Sequence, residues 1–188
     1  TLVSPPTAFD RWIDGDEAAI GDPAKRGFRL FTGKANCAAC HKGWAFTDNA
    51  FHDIGLPGED RGRGFVLSLP AAHFAFKTPG LRDLARRGPF MHDGSIATLA
   101  AVIAHYETGI VRRATLSRDL KTIALTDTER ADLLAFLDTL STAAPVNTAP
   151  PVRAVTSRAA LGPAADTRVV AQRDRAFLPG HIRAARRA

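Results

Sequence analysis

Cys37-Ala38-Ala39-Cys40-His41 is the stretch on which the reading of this chain turns. Two thiols at this spacing, with a histidine directly after the second, form the attachment motif for c-type haem. The chemistry sets the spacing. Each thiol adds across one vinyl group of the porphyrin, which fixes that edge against the chain, and the next imidazole then lies beneath the iron. His41 is the expected proximal ligand, binding through one ring nitrogen while the other is held by an acceptor. Other uses of the motif fit less well. A thioredoxin-like pair needs no histidine and sits in a βαβ pattern that this chain lacks. Structural zinc wants a second Cys/His pair, and the chain has two cysteines in all. A local disulfide leaves His41 unexplained.

Working outward from the motif, Asp22-Pro23 reads as an N-cap and a first helical proline, opening a helix to about Thr32. Phe28 and Phe31 form its apolar stripe, and Gly27 allows another backbone to come close. Residues 43–80 are broken by glycine and proline, including Gly43, Gly55, Gly62, Pro70 and Pro79. So little regular structure makes sense where the chain wraps a large flat cofactor that supplies the core. Gly94-Ser95 can cap a helix over 96–108, ended by Gly109. Thr126-Asp127-Thr128-Glu129 is a capping box for a last helix, with Leu133, Leu134, Phe136, Leu137 and Leu140 on its apolar face. The expected organisation is a leader over 1–21, an all-α haem domain over 22–141 and a non-globular extension over 142–188.

Charge separates the extension from the rest. Residues 141–188 carry eight arginines against Asp166 and Asp174, which accounts for the whole net charge of +6. The remaining body holds 17 basic and 17 acidic side chains. A pI near 10 therefore describes the tail, and a nucleic-acid-binding function for the haem domain does not follow from it. The tail brings few large apolar residues, so it cannot offset its ordering entropy with a core of its own, and it is expected to bind a partner chain. No apolar run approaches the roughly 18 residues of a membrane span. Thioether attachment implies maturation outside the cytoplasm, so a removed secretion signal and a periplasmic location are expected.

A haem iron with one histidine needs an open site or a second ligand, and that choice decides its chemistry. Stepping the 96–108 helix by about 100° per residue groups Ile96, Leu99, Ile103 and Ile110, with Tyr106 near the middle of the stripe. His105 falls toward the solvent side. Met91 is the rival ligand, since methionine ligation is common in cytochromes c. A core tyrosine with a bonded hydroxyl is the plainer use of Tyr106.

Four ordered motifs follow the haem site: Phe51-His52-Asp53-Ile54-Gly55-Leu56, Asp60-Arg61-Gly62-Arg63, Phe76-Lys77-Thr78-Pro79-Gly80-Leu81-Arg82-Asp83 and Pro89-Phe90-Met91-His92-Asp93-Gly94-Ser95-Ile96. Together with the flanking helices, they resemble a class I cytochrome c domain. More narrowly, they resemble the C-terminal half of the bacterial di-haem cytochrome c peroxidase and MauG-like family, from about Phe9 to Leu140. The leader Ala8-Phe9-Asp10-Arg11-Trp12 also resembles the segment joining that family's two haem domains. In the family the distal ligand lies fourteen positions after the histidine of His-Asp-Gly, and here that position is Tyr106. The resemblance thus implies a His41/Tyr106 axial pair, with Met91 a packing residue.

The chain departs from the pattern in three places. It carries one haem motif where the family has two. The family's calcium site uses carbonyls before His-Asp-Gly, where this chain has Arg86, Arg87, Gly88 and Pro89, and the two cations oppose calcium. The arginine-rich tail has no counterpart. His52, His92 and Asp93 are expected to pin loops by hydrogen bonds. Arg61, Arg63 and Arg82 are candidates to pair with haem propionates. Trp44 is expected to pack at the haem edge. The resemblance implies an oxidoreductase domain that stores or relays an electron beside a second haem domain and a redox partner protein. The alternative is a stand-alone mono-haem carrier docked in an assembly by its tail.

Overall fold

Gly27 has no side chain, and helix α2 (Asp22–Thr32) uses that to cross helix α5 (Asp127–Asp138) at backbone contact. A Cβ at Gly27 would overlap the Asp132 carbonyl. Arg26 clamps the crossing with a two-pronged ion pair to the buried Asp132, at 2.7 and 2.8 Å. Phe136 of α5 is fully buried and lies within 6.3 Å of the rings of Phe9, Phe28, Phe31 and Phe46. Such edge and tilted aromatic pairs are worth about 0.5–1.5 kcal/mol each beyond their buried area. This crossing and its aromatic cluster are the core.

The computed structural model describes residues 5–142. The other elements are α1 (Ala8–Ile13), α3 (Gly62–Val66) and α4 (Leu99–Ala104), with a two-residue hairpin β1 (Phe51–His52) and β2 (Phe76–Lys77). Short 3-10 turns at Cys37–Ala39, Pro70–Ala72 and Leu84–Arg86 connect them. The helical, loop-rich character matches the all-α expectation, the hairpin apart. The proposed extension over 142–188 lies, beyond residue 142, outside the described residues.

Two elements differ from the sequence expectation. Within the segment read as a leader, Thr7 and Asp10 form a reciprocal capping box that starts α1. Phe9 then enters the core, and its N–H bonds the Thr139 carbonyl at 3.2 Å. The described part of 1–21 therefore packs as part of the haem domain. The helix expected over 96–108 starts later, at Leu99, because Ile96 is paired with Phe90 in a β-bridge and Thr98 supplies the cap. It ends as a π turn over His105–Gly109. The wider turn slips the helical phase, so the extrapolated angle for His105 no longer holds. His105 is buried, and its Nε2 donates to the Ile54 carbonyl at 3.0 Å. That corrects the solvent-side placement.

Candidate haem site

The motif is presented by a sharp change of direction. After α2, Asn36 takes a left-handed conformation (φ 55°), and the chain turns through Cys37–Ala39 so that the N–H of His41 bonds the Cys37 carbonyl at 2.9 Å. Asn36 anchors the turn from its side chain, donating to the Asp119 carbonyl at 3.0 Å. Gly43 (φ 70°) and Phe46 (φ 53°) then fold the next loop back. That brings the Phe46 carbonyl to His41, whose Nδ1–H donates to it at 2.9 Å. With Nδ1 committed as donor, Nε2 is the nitrogen with a free lone pair.

Electrostatics agree with this assignment. Burial holds the His41 imidazole below its usual range against the opposing pull of the Phe46 and Pro79 carbonyls and Asp48, so the neutral, ligating form is favoured. Burial pushes the Cys37 thiol up to about 12 and also raises Cys40, beside Asp48 and Asp119. Both cysteines are unbridged. Two neutral thiols and one neutral imidazole with a free Nε2 are the donor set that covalent haem requires. The residues fit the group.

Tyr106 sits on the π turn, and its phenol is driven toward the neutral form, first by burial and then by the neighbouring Cys37 and Cys40. Like Cys37, Ala38, Leu81, Phe90 and Leu99, it is partly buried and packs against the core cluster. The structure therefore gathers both cysteines and Tyr106 on one side of the core. Met91 takes a left-handed conformation (φ 71°) in the turn closed by the Phe90–Ile96 bridge and is half-buried.

The three arginines are placed differently from one another. Arg82 is buried and does not match its expected role at a propionate. Its guanidinium is consumed by Asp10 at 2.7 Å and the Trp44 carbonyl at 2.7 Å, tying α1 to the loop after the haem motif. Arg61 is exposed, and its carbonyl accepts from Gly64 and Phe74. Arg63 is exposed and lies over the Phe51 ring at 3.9 Å. Trp44 presents most of its ring outside the protein core, and its carbonyl accepts from Arg82.

Of the motif histidines, His52 holds its loop by hydrogen bonds, whereas His92 does so by stacking and charge. His52 donates from Nε2 to Asp48 at 2.8 Å and meets Ser117 through Nδ1 at 3.1 Å. His92 stacks on Phe76 and faces Asp60 at 3.5 Å, while Asp93 accepts the Ser95 N–H. Sequence reasoning missed the strongest polar anchor, the buried Asp53. Its carboxylate accepts from Arg113 at 2.6 and 2.7 Å, Thr115 at 2.7 Å and the Gly55 N–H at 2.8 Å. The partners lie sixty residues apart, and no local pattern announces them. Cys40, Asp48 and His52 also cluster closely enough to share a metal ion, but the Cys40 sulfur is committed by the haem motif.

Comparison with known proteins agrees with this geometry. The cytochrome c family model matches residues 24–141. The methylamine utilization protein MauG of Methylorubrum extorquens is 57% identical over 143 residues, covering 74% of this chain and 40% of that protein. The cytochrome c551 peroxidase of Nitrosomonas europaea is 33% identical over 147 residues, covering 75% and 41% respectively. A crystal structure of a MauG-like protein associated with microbial copper homeostasis superposes with a TM-score of 0.66 at 32% identity, covering 72% of this chain and 51% of that one. The chain thus spans less than half the length of these two curated relatives. It belongs to the cytochrome c family, in its di-haem peroxidase and MauG-like branch.

Proposed function

We propose that this chain is the electron-storing or electron-relaying haem domain of a MauG-type or di-haem peroxidase-type oxidoreductase, working beside a second haem domain in the periplasm. Cys37 and Cys40 would hold one haem through thioethers, and His41 Nε2 and the Tyr106 oxygen would ligate its iron. The observation that carries this reading is the arrangement of His41, whose Nδ1 is spent on Phe46 while Tyr106 shares the desolvated side of the core with the two thiols.

When bound, haem supplies a one-electron redox centre, and axial ligands tune such centres over about 0.8 V. The residues of this chain set its character. The Phe46 carbonyl holds the His41 ring in one orientation and makes Nε2 the better donor. Binding to ferric iron would have to displace the phenol proton that burial retains, and the resulting Tyr106 oxygen would favour oxidised iron, which suits a site that retains oxidising equivalents. The π turn that carries Tyr106 is tied through its carbonyl to the Ile123 N–H and flanked by the buried His105, so the phenol is held by structure on both sides. With His41 and Tyr106 both holding the iron, the domain would offer peroxide no open site, and turnover would belong to the second haem domain. Calcium is not part of this reading, because Arg86 and Arg87 flank the segment that would hold it.

A redox partner protein follows from electron relay. Binding of a partner chain by the arginine-rich tail is a separate element of the proposal and rests on composition alone. The test is steady-state peroxide turnover by purified, haem-loaded chain shown by mass to carry one haem. Little turnover is expected. Robust turnover with Tyr106 unaltered contradicts the proposal and favours an independent enzyme.

A further inference from the structure

The hairpin and the loop over 115–118 enclose an open cleft of about 520 Å³, whose lining includes His52, a near neighbour of Cys40. That is within the usual size of small-molecule sites, about 300–1,000 Å³. Its charged groups are unevenly satisfied. Asp53 lines the cleft, but its carboxylate is saturated by Arg113, Thr115 and Gly55, so it does not present a free negative charge. His52 is engaged by Asp48 and Ser117. Arg63 and Arg118 also line the cleft, and neither has a carboxylate partner among the described residues.

Arg63 is oriented for recognition. Its Cζ lies over the Phe51 ring, 3.9 Å from the centroid, a cation–π contact that restrains the guanidinium without using a carboxylate. Two uncompensated guanidiniums lining one concave surface sum to a local positive field. Leu116, Ala71, Ala72 and Ala75 supply apolar lining to the same cleft. A ligand complementary to both features has one anionic end and a compact apolar body.

We propose that this cleft binds a small aromatic or short-chain monocarboxylate, with the carboxylate on Arg63 and Arg118 and the apolar body on the alanine and Leu116 wall. Bidentate guanidinium–carboxylate contacts supply the anchor, and the wall selects against bare inorganic anions.

The experiment is titration calorimetry of the haem-loaded chain at low ionic strength with benzoate, its neutral analogue benzamide, and inorganic phosphate. Benzoate is expected to bind one site, at least about ten-fold more tightly than benzamide or phosphate, the scale of one charge-assisted interaction. Arg63→Gln and Arg118→Gln should each weaken benzoate by about ten-fold with unchanged circular dichroism. Failure of benzoate to bind, equal binding of benzamide, or full binding in the double variant overturns the proposal. Phosphate binding as tight as benzoate removes the role of the apolar wall and overturns the assigned ligand class.

Discussion

The Nδ1 of His41 and the carbonyl of Phe46 are 2.9 Å apart, and this hydrogen bond sets the chemistry available to the imidazole. A carbonyl can only accept, so Nδ1 carries the proton and Nε2 carries the lone pair. The contact exists because Gly43 and Phe46 both adopt left-handed backbone conformations, which fold the loop back within five residues. The histidine that completes the attachment motif is thereby prepared as a ligand by its own local sequence.

Covalent attachment is the first expected outcome. Replacing Cys37 and Cys40 together with alanine removes both vinyl-reactive sulfurs, so acid-acetone should extract nearly all the haem from the variant and almost none from the unmodified chain. Free extraction from the unmodified chain contradicts the thioether assignment.

The helix crossing makes a second prediction through competing magnitudes. Gly27→Ala gains about 1 kcal/mol of helix propensity. Overpacking typically costs about 1–3 kcal/mol. Here the obstructing atoms are the main-chain carbonyl of Asp132 and Cβ of Phe136, which cannot swing aside. The cost should win, lowering the melting temperature of the haem-loaded chain. An equal or higher melting temperature would show that the two helices separate without penalty.

Asp48 gives a pH-dependent prediction. Burial pushes its carboxyl up, but hydrogen bonds from His52, the Ala50 N–H and Thr78 outweigh that and hold it at about 2. Because the folded value lies below the unfolded one of about 3.9, this group stabilises the fold above that pH and ceases to do so as pH falls toward 2. The shift corresponds to about 2 kcal/mol for a carboxylate this well shielded. Urea unfolding of the chain and of Asp48→Asn should therefore differ most at about pH 5 and converge by about pH 2. A difference that stays constant across that window contradicts the assignment.

Local chemistry was legible in the sequence, and long-range placement was not. The haem motif and the Thr126–Glu129 capping box each lie within five residues, so their spacing states their geometry. Gly27 announced a close crossing, and Asp132 and Phe136 are what it meets. By contrast, α1 is six residues long behind two prolines, too short for periodicity to register, and only the Thr7/Asp10 pair signals it. A regular helix sets the angle that the sequence predicts for Tyr106. The structure has a π turn there, and that turn buries His105 as well. Arg82 looked free for a propionate because Asp10 lies 72 residues away in sequence.

The axial pair is the centre of this account, and the ferric spectrum of Tyr106→Phe tests it most directly. Phenylalanine keeps the ring that packs against the core and removes only the oxygen. Electron paramagnetic resonance and optical absorption of the ferric protein should show conversion toward a high-spin or water-bound iron that takes up cyanide readily. Met91→Leu should leave both spectra unchanged. A spectrum that responds to Met91 and is indifferent to Tyr106 would contradict the assignment.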